Sequence, residues 1–130
     1  MVIDSSALLA IILAEPEAAT FLRAIKSSKS RRISAASFLE TGMVLRRDPS
    51  GQRQQLFEEL IAALRIAIES VTELQARAAL EAFSAYGKGQ GHSGGLNFGD
   101  CLAYGLAKTC AEPLLFKGND FSQTDIQPAV

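Results

Sequence analysis

Four acids carry the chemistry this sequence can offer: Asp4, Glu40, Asp100 and Asp120. Asp4 directly follows the apolar pair Val2-Ile3, and Asp120 lies just beyond the apolar run Leu114–Phe116. Both therefore fall at the carboxyl ends of short strand-like segments. Asp100 sits in the first turn of a helix opened by Asn97. Glu40 shares a helical stripe with the apolar residues Ala36, Met43 and Val44, and an acid there is costly to bury without a partner. No basic residue lies on that stripe within one turn of it. Converging carboxylates raise one another's pKa values, and a hard divalent cation removes the repulsion. Magnesium favours carboxylate and water oxygens and binds phosphate well. Two such ions can activate a water and steady the leaving oxygen in phosphodiester cleavage.

Each acid also has a plainer local role. Asp100 can be a helix cap, since acids are favoured in first turns. Asp120 can be a turn residue in the run Gly118-Asn119-Asp120, and Asp4 can cap the first helix. Glu40 faces solvent if the helical register shifts by one. On residue type alone both readings stand for each.

The elements that must position these acids follow from periodicity and punctuation. Val2-Ile3 reads as a strand, with Ser5 or Ser6 able to cap the helix after it. Glu15-Pro16 ends that helix, Pro16 being suited to a first helical position, and Ala18, Phe21, Leu22 and Ile25 mark an amphipathic second helix. A polar loop, Ser27–Arg32, leads to a strand near Arg32–Ser34 and a third helix through Glu40 to about Arg47, broken by Asp48-Pro49. Ser50 can cap a fourth helix carrying Leu56, Phe57, Leu60, Ile61 and Leu64, and Ile66–Val71 reads as a strand. Thr72-x-x-Gln75 is a capping box for a fifth helix through Leu80 and Phe83. Gly87–Gly95, with five glycines, predicts an exposed loop. Asn97-x-x-Asp100 caps a sixth helix, Leu114–Phe116 is a buried strand, and a last strand is expected around Asp125-Ile126. Strands alternating with helices imply a parallel sheet covered on both faces, whose ligands bind beyond the carboxyl ends of the strands.

The chain has 130 residues, 48 % of them apolar, which suits one globular domain spanning 1–130. Its net charge of −1 gives no overall attraction for an anionic partner. Local basic groups or metal ions must then hold any nucleic acid. No run reaches the ~18 apolar residues of a membrane span, and Asp4 stands where a signal peptide would be basic. A cytoplasmic protein with no membrane partner is expected. Cys101 and Cys110, nine residues apart on one helix, face opposite sides and lack zinc-site spacing.

Four segments resemble the motifs of PIN-domain ribonucleases, in order and across nearly the entire chain. They are Val2-Ile3-Asp4-Ser5-Ser6-Ala7-Leu8, the stretch from Ser34 to Thr41, the stretch from Leu96 to Tyr104, and the stretch from Leu114 to Phe121 followed by Thr124-Asp125-Ile126. The similarity is greatest to the VapC-type toxins of bacterial toxin–antitoxin pairs. It implies an α/β fold, a PIN-like three-layer α/β/α sandwich with a short central parallel sheet. It implies that Asp4, Glu40, Asp100 and Asp120 form a catalytic cluster binding Mg2+ or Mn2+, that Ser6 supports it by hydrogen bonding, and that Asn97 assists as a supporting or substrate contact. Many relatives carry an acid at the position of Asn119, and Asp120 is taken as the fourth acid. The resemblance also implies a homodimer that cleaves RNA and is silenced by a cognate VapB-like antitoxin, whose Arg or Lys enters the acidic pocket.

Arg31, Arg32, Arg46, Arg47 and Lys88 could contact RNA phosphates or could be ordinary surface charge, and Lys117, nearest the acids, is the best candidate. His92, the single histidine, reads as a loop residue rather than a base. A non-catalytic binding module has no reason to gather four acids. A phosphoryl-accepting domain needs an acceptor Asp ending the middle strand, where Ile66–Val71 offers only Glu69. A phosphatase opening with Asp-x-Asp is excluded by Ser5-Ser6.

Overall fold

The computed structural model describes residues 1–91 and 95–130. The reading of His92 lies outside the described residues. The elements run β1 (Val2–Ile3), α1 (Ser5–Ile12), α2 (Ala18–Ser27), β2 (Arg32–Ser34), α3 (Ala35–Leu45), α4 (Gln52–Ala63), β3 (Ala67–Glu69), α5 (Glu73–Tyr86), α6 (Phe98–Cys110) and β4 (Leu114–Leu115). The strands pair in parallel in the order β3-β2-β1-β4.

Successive side chains of β1 and β4 point to opposite faces of the sheet, and both faces are buried, which sets the layers. Val2 lies beside Arg32 and Leu114, and Ile3 beside Leu115. With a side-chain period of two, Ile3, Ile33 and Leu115 face one side, where they pack with Leu8, Ile25, Leu45 and Phe57 of α1–α4. Val2 and Leu114 face the other, with Ala79, Leu96, Ala103 and Leu106 of the α5–α6 layer. The result is the three-layer α/β/α sandwich with a short parallel sheet that the sequence predicts. The chain leaves β1 toward β2 but returns to β4 on the opposite side of β1. That reversal opens a crevice beyond the carboxyl ends of β1 and β4.

Several boundaries differ from expectation. α2 starts at Ala18, whose N–H donates to the Glu15 carbonyl, so Pro16 lies in the preceding turn. α3 ends at Leu45 rather than about Arg47. The cap of α4 is Gly51, at a φ of 72°, a backbone region that favours glycine, rather than Ser50. β3 is trimmed to Ala67–Glu69, as suits an edge strand with β2 as its neighbour. The strand expected around Asp125-Ile126 does not form. Thr124 Oγ1 donates to the Phe121 carbonyl at 2.8 Å and accepts from Ile126 N–H at 3.3 Å, so local turns replace a ladder there. The pairing shifts to a single bridge between Leu114 and Pro128. Cys101 and Cys110 are free thiols.

Candidate active site

Asp4 leaves β1 in an extended conformation and becomes the N-cap of α1. Its Oδ2 accepts from the Ser6 N–H at 2.9 Å and the Ser6 hydroxyl at 2.6 Å. Its Oδ1 is buried with no hydrogen-bond partner among the described residues. The carboxyl is only 2 % exposed. Burial pushes its pKa up, against the pull of Ser6, and the charge of Glu40 adds to the push. The capping and cluster roles therefore fall on different oxygens of one side chain.

Ser6 also reaches the segment after the neighbouring strand β4: its Oγ accepts from the Lys117 backbone N–H at 2.9 Å. This ties the start of α1 to the segment leaving β4. Gly118, at a φ of 96°, turns that segment toward Asp120, which is exposed. Glu40 lies half-buried on α3, and its Oε2 accepts from the Ser5 hydroxyl at 2.9 Å.

Asp100 and Asn97 form a reciprocal capping box at the start of α6. Asp100 Oδ2 accepts from the Asn97 N–H and Asn97 Oδ1 accepts from the Asp100 N–H, both at 2.9 Å. Burial pushes the Asp100 carboxyl up to about 7, against the Asn97 bond, with the charges of Asp4, Asp120 and Glu40 adding to the rise. All four acids thus share one electrostatic neighbourhood around the N-terminus of α6. Among the described residues, no three His, Cys, Asp or Glu side chains stand in a ready metal-ligating arrangement. The donor set nevertheless suits a hard cation: carboxylate oxygens, one of them buried and unpartnered, amid like charges. A groove of about 670 Å³ opens beside Glu40, lined by Leu39, Met43, Arg47, Phe98 and Leu102.

The basic candidates fare differently. Lys117 Nζ pairs with Glu15 at 2.6 Å and Glu17 at 3.4 Å, close to the Ser6 bridge. Arg31 donates to the carbonyls of Ser28, Lys26 and Leu64. Arg32 pairs with Glu69 at 2.6 Å and Glu112 at 3.1 Å. Both arginines sit where β2 begins, at the amino ends of the strands, opposite the acids at the carboxyl ends. Their guanidinium groups bond within the chain itself, as the Lys117 ammonium does with Glu15 and Glu17. Ser5, which the sequence offers only as a helix cap, Glu15, which it offers only as a helix stop, and Gly99 and Glu17 also lie at the site. Of the last two, only Gly99 left a signal in the sequence, as a glycine inside a helical turn without a turn to make.

A PIN-domain family model matches residues 1–127. The chain is 48 % identical over 132 aligned residues to Ribonuclease VapC28 of Mycobacterium tuberculosis, covering 100 % of this chain and 98 % of that protein. It is 45 % identical over 129 residues to Ribonuclease VapC30 of the same species, covering 97 % and 95 %. Its fold is similar to the crystal structure of Mycobacterium tuberculosis VapC20, described as a sarcin-ricin loop cleaving toxin, with a TM-score of 0.75 at 16 % identity, covering 96 % and 95 % of the two chains. It is also similar to a toxin–antitoxin complex from Klebsiella pneumoniae, with a TM-score of 0.70 at 16 % identity and coverage of 95 % and 92 %. Those two likenesses speak for the fold, and the full-length identities for the family. The chain belongs to the PIN-domain family, among its VapC ribonucleases.

Proposed function

We propose that the protein is a Mg2+- or Mn2+-dependent endoribonuclease toxin that cleaves RNA phosphodiester bonds, with residues 1–130 forming one PIN domain. The observation that carries this reading is the unpartnered, buried Oδ1 of Asp4 set among three further acids. Asp4, Glu40, Asp100 and Asp120 would hold the cation, which when bound supplies charge neutralisation and an activated water. The protein's own groups do the rest. Ser6 holds Asp4 and keeps the segment after β4 against it. The Asn97–Asp100 box fixes the Asp100 carboxylate at the helix start. Lys117, whose backbone N–H meets Ser6, would be the phosphate contact nearest the acids, exchanging its pairs with Glu15 and Glu17 for a phosphate.

A VapB-like antitoxin that presents Arg or Lys would neutralise the same acids. A homodimer is supported by the exposed apolar residues Leu39, Met43, Leu80 and Phe98, which face outward from α3, α5 and α6. No helix among the described residues is long and apolar enough to cross a membrane, and we read the protein as cytoplasmic. The test is cleavage of a pooled RNA with Mg2+ or Mn2+, with EDTA, and by Asp4→Ala and Asp100→Ala proteins. Cleavage that needs metal and both carboxylates supports the reading. Folded protein that neither cuts RNA nor binds metal refutes it.

A further inference from the structure

Gly99 lies between Phe98 and Asp100 in the first turn of α6, in ordinary helical backbone. A Cβ on it would fall 2.8 Å from Glu40 Oε2 and 3.0 Å from Glu40 Oε1. Its third nearest atom, at 3.1 Å, is the Glu40 carboxyl carbon. The space that this glycine leaves is therefore filled by one carboxylate. Gly105, one helix position set further along, contrasts with it: a Cβ there would meet the Gln75 backbone oxygen of α5 at 2.5 Å, so that glycine serves helix packing. On its other side the Glu40 carboxylate accepts from the buried Ser5 hydroxyl.

We propose that Gly99 and Ser5 are positioning residues for Glu40, seating its carboxylate against the N-terminus of α6 beside Asp100. The inference rests on the metal-site reading above for its functional meaning, but the seating itself is a property of the metal-free chain. Neither residue touches substrate. Gly99 acts through the side chain it lacks, and Ser5 through a single hydrogen bond. Because the atoms that a Gly99→Ala methyl meets are the far end of a flexible side chain, the carboxylate moves and the helix stays. Displacement carries Glu40 away from Ser5 and from its neighbours at the site.

The experiment uses the full chain with Gly99→Ala, Ser5→Ala, Glu40→Gln and the Gly99→Ala/Glu40→Gln pair. In EDTA, Gly99→Ala melts no lower than the parent, since alanine suits a helix better than glycine. Mn2+ titration shows binding weakened about tenfold or more in Gly99→Ala and Ser5→Ala, the scale of losing a group that orients a ligand. In the Glu40→Gln background the added Gly99→Ala changes affinity by less than about twofold, because the two act as one unit. In the metal-free protein, the carboxyl 13C resonance that vanishes in Glu40→Gln moves in both Gly99→Ala and Ser5→Ala. An unmoved resonance, or a loss of Mn2+ affinity that persists undiminished in the Glu40→Gln background, overturns the proposal. A parent protein that binds no Mn2+ refutes the metal site instead, and the resonance then decides the seating alone.

Discussion

The Ser6 hydroxyl donates to Asp4 Oδ2 at 2.6 Å while accepting from the Lys117 N–H at 2.9 Å, so one atom joins the acid after β1 to the segment after β4. Ser6→Ala leaves that N–H without its partner and removes one of the two donors holding Asp4. Denaturant unfolding should show a loss of about 1–3 kcal/mol, the cost of stranding a partly buried polar group. Cleavage or metal affinity should fall about 10–100-fold. An unchanged midpoint with an unchanged rate would show the bridge to be inert.

The metal-free protein should be more stable at pH 5 than at pH 7.5. Burial raises the carboxyls of both Asp4 and Asp100 above the ordinary value of 3.8, Asp100 to about 7. Between those limits the folded state holds protons that the unfolded chain has released, so stability falls as pH rises. The depressed carboxyls of Asp48, Glu112 and Asp125 favour the folded state above their unfolded values and lose that contribution only in more acidic solution, outside this window. Chemical denaturation in EDTA at the two pH values measures the slope, which saturating Mg2+ or Mn2+ should flatten. A rise in stability with pH in EDTA would contradict the account.

Asp100→Asn should stabilise the protein and abolish cleavage. The substituted side chain keeps an oxygen for the Asn97 N–H and turns an amide toward Asp4, Asp120 and Glu40, replacing a repelled charge with a donor. At pH 7.5 without metal, a gain of about 1–2 kcal/mol is expected, in keeping with the common opposition of stability and activity at functional sites. Differential scanning calorimetry beside an RNA cleavage assay checks both halves. An active variant, or one less stable than the parent, would count against the cluster.

Much of this was readable from the chain because the relevant signals are local. Val2-Ile3 is short and apolar, so Asp4 had to emerge at a strand end, and the Thr72–Gln75 and Asn97–Asp100 pairs mark helix starts by their spacing alone. Glu40 stood out because its stripe is otherwise apolar. What stayed hidden depends on distant partners. The commitment of Arg32 is decided by Glu69 and Glu112, which lie 37 and 80 residues away in sequence. The role of Gly99 arises only when α6 meets α3. At Asp125-Ile126 local turns through the Thr124 hydroxyl stand in place of the expected strand, and the backbone meets Leu114 only at Gln127 and Ala129.

Two basic residues should separate cleanly by salt dependence. Arg32→Ala breaks its pairs with Glu69 and Glu112 at a partly exposed position, lowering stability by about 1 kcal/mol at most. RNA cleavage and its salt dependence should not change. Lys117→Ala should instead weaken RNA binding evenly across sequences and lower the salt slope by about 1, as for one lost phosphate contact. Binding isotherms at several salt concentrations decide it. A reduced slope for Arg32→Ala would return that residue to the RNA surface.

The apolar face of α3, α5 and α6 should be the surface that brings two copies together. Leu39, Met43 and Leu80 are each more than 60 % exposed, and Phe98 is 82 % exposed. Phe98 and Leu102 border both the groove beside Glu40 and a second one over Ala79 and Phe83, so the apolar surface is continuous. Such a patch is unusual on a monomer in water. Sedimentation equilibrium should give twice the chain mass for the parent protein and a single chain mass for Leu80→Glu. Because Leu80 is solvent-exposed, the far-UV circular dichroism of the single chain should match the parent's, which separates lost association from lost folding. A parent protein that sediments as one chain would leave this face to another partner, and Leu80→Glu would then weaken antitoxin binding instead.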